Sequence, residues 1–216
     1  MLWCLACALV GALMAVVAWP SLPESMAVHW GADGTPDRHM GRLVGVSMAP
    51  LAAVLAPGLV VVAALLSKRT EHVERSWPAI STIMVGVSAF LVGVQWLALQ
   101  AAASPDETLD SRSVIVLTGL LWMVMGNAMP KLRSNGFAGV RTRWTLGSEK
   151  VWHVTHRAAG WTFAGSGLLT ILAALTLPPV SVAWVAVVLL LSGAIAPNIY
   201  SYFVWKNLES SPTAGS

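Results

Sequence analysis

Leu43-Val-Gly-Val-Ser-Met-Ala-Pro50-Leu-Ala-Ala-Val-Leu-Ala-Pro57-Gly58-Leu-Val-Val-Val-Ala-Ala-Leu-Leu66 contains no Lys, Arg, Asp, Glu or His. A helix rises about 1.5 Å per residue, so roughly 20 residues cross a hydrocarbon layer about 30 Å thick. This stretch is long enough. It does not alternate apolar and polar residues, as a strand of a membrane barrel would. Five further charge-free stretches, 2–19, 79–103, 113–129, 158–177 and 182–205, repeat the pattern. The expected fold is therefore all-α: a polytopic membrane protein of six transmembrane helices, with a short folded extracytoplasmic loop and a structured cytoplasmic loop.

Composition agrees. The 216 residues are 56% hydrophobic and 11% charged, with a mean hydropathy of +0.69. Soluble domains carry about 25% charged residues, so an ordinary soluble globule and a disordered chain are both excluded. The thirteen basic residues are scattered between apolar runs, which argues for topology signals and against direct nucleic-acid binding. Ten of them fall on one side: Lys68, Arg69, Arg75, Lys131, Arg133, Arg141, Arg143, Lys150, Arg157 and Lys206. Arg38, Arg42 and Arg112 fall on the other, with Glu24, Asp33, Asp37, Asp106, Glu107 and Asp110. The positive-inside rule then places both termini in the cytoplasm. The first span has no preceding Lys or Arg and no clear cleavage site, so it reads as a retained helix rather than a cleaved signal sequence. Cys4 and Cys7 lie inside it and read as small lipid-facing side chains.

No charged residue or His lies inside the spans, which argues against a proton-coupled pump. The polar residues there are mild: Gln95, Asn127 and Asn198, with Ser and Thr. Pro50, Pro57-Gly58 and Pro197-Asn198 interrupt spans two and six and leave carbonyls without an intrahelical donor. They either shape helix packing or open a polar cavity toward the cytoplasm, lined by Asn127 and Asn198.

Chemistry is densest from residue 126 to 157. Pro130 ends span four, and Asn135-Gly136 and Gly139 favour turns, so Arg141, Thr142 and Trp144 are expected on a loop at the headgroup layer. From Ser148, which can cap a first turn, a helix runs into span five. On it Glu149, His153, His156 and Arg157 share a face, beside Trp152, Thr155 and Ala159. That face can ligate a metal through Glu149, His153 and His156, although the H-E-x-x-H order is lacking. Arg157 would repel a cation there, and the reading preferred over a metal site is a hydrogen-bonded cluster pinning loop to helix. A third reading has Arg141, Arg143, Lys150 and Arg157 bind a cytoplasmic partner or anionic headgroups. Outside, 26–30 can form one short strand, with turns at Asp33-Gly34 and Pro36-Asp37. The segment reads as a folded cap. His29, His39, Asp33 and Asp37 are a weak cation candidate, and an exposed Trp30 can anchor a peptide.

Two stretches carry a family resemblance. Leu22-Pro-Glu, His29-Trp30-Gly31, Gly34-Thr-Pro36-Asp37 and Gly41-Arg42 resemble the DUF1648 domain. Gly126-Asn127, Met129-Pro130-Lys131, Gly139-Val140-Arg141-Thr142, Trp144-Thr145-Leu146, Ser148-Glu149, Trp152, Thr155-His156-Arg157 and Gly160 resemble the SdpI family of membrane proteins. Arg143 stands where that family commonly has Pro, and Gly136 replaces a bulkier residue; both imply a less rigid loop. The resemblance implies a DUF1648-like module over 1–66 and a connecting helix with its loops over 67–112. It further implies an SdpI-like module over 113–205 and a flexible tail over 206–216. It implies a bacterial integral-membrane immunity and signalling protein, not an enzyme and without cofactor. Its partners would be the lipid bilayer, a secreted peptide toxin and a cytoplasmic repressor. The toxin would be met at His29, Trp30, Gly34, Pro36 and Asp37. Its presence would be reported through Asn127, Lys131, Arg141, Thr142, Trp144, Thr145, Ser148, Glu149, Trp152, His156, Arg157 and Asn198, with Pro50, Pro57 and Pro197 as movable parts. Two rival classes are a small transporter or lipid-handling protein using the Asn127–Asn198 cavity, and a metal-dependent membrane enzyme using Glu149, His153 and His156.

Overall fold

The computed structural model describes residues 1–66 and 70–210; Lys68, Arg69 and the tail beyond 210 lie outside the described residues. Among the described residues six helices are long and apolar enough to cross a membrane: α1 (Leu2–Ala18), α2 (Arg42–Leu65), α3 (Thr70–Ala102), α4 (Ser111–Ala128), α6 (Glu149–Thr176) and α7 (Pro179–Ser210), with α5 (Arg143–Gly147) a short turn of helix between α4 and α6. The protein is a multi-pass membrane protein. Residues 206–210, expected as tail, continue α7, because the first helix breaker downstream is Pro212.

The interrupting prolines do not interrupt. Pro50 and Pro57 lie inside α2 and Pro197 inside α7, and both helices are assigned as unbroken. A proline at position i removes the donor for the carbonyl at i−4. Neighbouring helices supply substitutes in all three cases. Gln95 Nε2 donates to Val46 O at 3.3 Å, Ser88 Oγ to Ala53 O at 3.2 Å, and Thr162 Oγ1 to Gly193 O at 3.0 Å. In hydrocarbon no water would serve those carbonyls, so each polar side chain supplies the donor that the proline took away. Gln95 also donates to Gly11 O at 2.9 Å and so ties α1, α2 and α3 together.

Helices α4 and α6 approach through small residues. A Cβ on Gly126 would lie 2.6 Å from Ala164 N, and one on Gly167 would lie 2.4 Å from Gly119 O. Backbones that close gain dispersion contact where burying apolar surface provides no drive. The largest buried cluster joins α1, α2, α3, α4 and α6 at one end of the bundle, through Cys4, Ala64, Val73, Ile80, Met84, Met129, Leu132, Val140, Trp152 and Phe163. Cys4 is thus buried there, not lipid-facing.

At the other end, the single strand expected over 26–30 is an antiparallel hairpin, β1 (Ser25–Trp30) with β2 (Pro36–Gly41). Asp33-Gly34 makes the turn as read; Gly34 has φ +85°. Pro36-Asp37 instead begins the second strand, where Pro36 faces Trp30 in register at the irregular end of the ladder. Leu22 and Met26 seat the hairpin on Ala15, Val46, Leu99 and Ala102.

Candidate functional site

The segment from Met129 to Ser148 has a hydrogen-bonded interior of its own. Met129–Lys131 is a single 3₁₀ turn. Ser76 Oγ, which donates to His72 O, accepts from Arg133 N at 2.9 Å, and His72 Nδ1 meets Ser134 O at 2.7 Å. Asn135, fully buried, donates to Arg133 O and accepts from the amides of Phe137 and Ala138 at 2.8 and 2.7 Å. Asparagine favours this local bonding, which is why Asn135-Gly136 reads as a turn.

Two side chains of α6 then hold the chain down. Trp152, 0% exposed, donates Nε1–H to Leu132 O at 2.8 Å. His156, also 0% exposed, stacks on Trp152 with ring centroids 3.9 Å apart. Its Nε2 accepts from Val140 N at 3.0 Å, so its Nδ1 carries the proton and donates to Trp152 O at 2.9 Å. The ring is the neutral tautomer with both nitrogens used. Gly139, at φ +114°, is required at this approach, because a Cβ there would lie 2.3 Å from His156 Nε2.

Residues 143–147, expected as loop, form α5. Thr142 caps it: its Oγ1 accepts from Thr145 N at 3.2 Å, and Thr145 Oγ1 accepts from Thr142 N at 3.0 Å. Thr145, fully buried, also donates to Val140 O at 2.7 Å. Arg143 stands at the first helical position, where proline is favoured, and its guanidinium lies 4.1 Å from the Trp144 ring. Trp144 packs edge-on against Tyr202 and Trp205 of α7, and Thr142 Oγ1 lies 3.0 Å from Ser201 Oγ. Ser148 caps α6, accepting from Val151 N at 3.4 Å.

The structure therefore brings together Thr142, Trp144, Thr145, Trp152 and His156 with Asn135 of the expected turn, and adds His72, Ser76 and Ser201, which no sequence motif flagged. It divides the face expected to hold Glu149, His153, His156 and Arg157. His156 belongs to the buried stripe 152, 155, 156, 159, 160, while Glu149, His153 and Arg157 are exposed. The metal reading fails on that division: His156 has no free lone pair, and among the described residues no three His, Cys, Asp or Glu side chains converge. Arg141 is held by the carbonyls of Gly136 and Phe137 at 2.5 and 3.1 Å. The cavity expected between Asn127 and Asn198 also divides. Asn127 lines a groove between α4 and α6 with Lys131 and Arg157, whereas Asn198 is exposed and bonds its own helix at Ala194 O.

At the hairpin end, His29 Nδ1 pairs with Asp37 Oδ1 at 2.6 Å and His39 Nε2 with Glu107 Oε2 at 2.7 Å. Asp33 accepts from the hydroxyl and amide of Thr35, at 2.7 and 3.1 Å, which holds its carboxyl below the usual carboxylate range. The cation reading is thus replaced by three separate pairings. Trp30, expected exposed, is half-buried and donates Nε1–H to Glu107 O at 2.8 Å. Gly34 O accepts from Leu109 N at 2.9 Å, fastening the turn to the α3–α4 connection.

The SdpI/YfhL protein family matches residues 131–201, the span that holds this fastened segment with α6 and most of α7. A domain of unknown function, DUF1648, matches residues 6–54, over α1, the hairpin and the start of α2. The chain is thus similar to the SdpI/YfhL family over 131–201 and to the DUF1648 domain over 6–54. No curated protein and no solved structure matches it. The SdpI/YfhL family is not a family of enzymes.

Proposed function

We propose that the chain is an SdpI-type immunity and signalling protein of a bacterial cell membrane, with both termini in the cytoplasm. In this reading the DUF1648 hairpin meets a secreted peptide toxin outside. The segment 131–148 reports that event to a cytoplasmic repressor. The observation that supports it most is the build of that segment. Fully buried Trp152, His156, Asn135 and Thr145 fix it from beneath, while Arg133, Arg143 and Lys150 are exposed above. A loop that merely joined two helices would need no such interior. A fixed surface with outward cations suits a protein partner better than a plain connector. The positive-inside rule puts that surface in the cytoplasm.

The test is survival of a toxin-sensitive bacterium challenged with secreted peptide toxins. Cells expressing the wild-type protein should survive. Arg141→Ala and His156→Ala, which release the segment from its carbonyls and from Val140, should restore sensitivity while the protein is still inserted. Equal sensitivity with and without the wild-type protein would count against immunity. A tag near residue 140 that is labelled only from the exterior of intact cells would overturn the orientation.

A further inference from the structure

A groove of about 500 Å³ runs between the end of α4 and the start of α6, on the flank of the fastened segment. Its lining is graded. Lys131 and Arg157 line its end nearest the fastened segment, Asn127 and Trp161 about one turn further into α4 and α6, and Met123 and Ala164 about one turn beyond. A helical turn advances about 5.4 Å, so the change from cationic to hydrogen-bonding to apolar takes about 11 Å. Arg157 has no ion pair or hydrogen bond among the described residues, and Lys131 reaches only Asn127 Oδ1 at 3.5 Å. No carboxylate lines the groove. Trp161 is 78% exposed, on a helix that crosses the membrane, as an indole at the headgroup boundary would be.

We propose that this groove binds one anionic phospholipid, with its phosphate between Lys131 and Arg157 and an acyl chain along Met123 and Ala164. The order of chemistry matches that of the lipid: cations for phosphate, the Asn127 amide and Trp161 indole N–H for the ester region, and an apolar floor for the chain. A soluble anion would have no use for the apolar floor. A zwitterionic lipid would leave the two cations only partly compensated. The proposal goes beyond the immunity reading and does not depend on it.

The test is native mass spectrometry of the full chain, extracted in detergent with equal amounts of phosphatidylglycerol and phosphatidylcholine. Wild type should retain one phosphatidylglycerol in preference. A basic residue near the headgroups favours anionic lipid about fivefold, so K131Q/R157Q should lower the preference roughly twenty-five-fold. Both side chains are exposed, and an unchanged thermal midpoint would show that the variant folds. R143Q/K150Q, equally basic but outside the groove, should keep the wild-type ratio. Four results would overturn the proposal: equal retention of the two lipids by wild type, a preference that survives K131Q/R157Q, an equal loss in R143Q/K150Q, or displacement of the lipid by inorganic phosphate. A dimer that appears in place of the bound lipid would likewise reassign the groove to a second copy of the chain.

Discussion

The two ends of the bundle are fastened by opposite means. At the hairpin end the pairings reach water: the His29 and Asp37 side chains are 62% and 52% exposed, and His39, which pairs with the more buried Glu107, is 45% exposed. A backbone ladder and the seat of Leu22 and Met26 hold the hairpin in place. At the other end the pairings are dry: Trp152, His156, Asn135 and Thr145 are fully buried and each is bonded to the segment they support. Water can replace a lost partner in the first case and not in the second. Buried polar groups therefore make the 131–148 segment an all-or-none structure, whereas the hairpin tolerates loss of its side-chain pairs.

The largest expected effect follows from that asymmetry. Trp152→Ala removes the largest fully buried side chain and orphans Leu132 O. It should cost about 3–5 kcal/mol, read as a lowered midpoint in SDS-driven unfolding. If it costs no more than a substitution at His29, the contrast between dry and wet ends is wrong.

The next effect compares two glycines. Gly139 and Gly34 both have positive φ, and a Cβ on either would lie 2.3 Å from an atom across the chain, His156 Nε2 and Leu109 O respectively. Alanine at either should cost about 1–3 kcal/mol in strain, with separate local readouts. Hydrogen exchange should quicken at the Val140 amide in Gly139→Ala and at the Leu109 amide in Gly34→Ala. Exchange that quickens at both amides in either variant would show that the two ends are coupled through the bundle.

The glycines also mark what could be read from the sequence. Six spans, the turn at Gly34 and the cap at Ser148 were legible, because hydrocarbon thickness and turn geometry act locally on the chain. The second strand was not, since its pairing with 25–30 is a contact between segments and Pro36 argues against a central strand. The face of Glu149, His153 and His156 misled for a related reason. Spacing places side chains around a helix, but which arc is buried depends on the neighbour, and here the neighbour is the segment 131–148 itself. What serves the carbonyls that the prolines leave free was not legible, because the donors are Gln95, Ser88 and Thr162 on other helices, far away in sequence.

That compensation predicts a smaller effect within the membrane. Ser88→Ala leaves Ala53 O, already deprived of a donor by Pro57, without its Ser88 partner. Interhelical side-chain bonds in bilayers contribute about 0.6 kcal/mol on average and up to about 1.7. A value toward the upper limit is expected here, because the freed carbonyl has no helical donor to return to. The double variant Ser88→Ala/Pro57→Ala restores that donor and should recover most of the loss; failure to recover would mean that Ser88 contributes by packing alone.

The smallest effect belongs to Asp37→Asn. The pair with His29 is short at 2.6 Å, but both side chains are more than half exposed, and exposed ion pairs contribute between zero and about 1 kcal/mol. The midpoint should hardly move, and the remaining difference should vanish in molar salt, where charges are screened beyond about 3 Å. A large loss that persists in high salt would mean that the carboxylate is part of the hairpin's structure in the same way that His156 is part of the opposite segment. The two ends would then differ in exposure only, and the hairpin would have to be regarded as a rigid recognition surface in its own right.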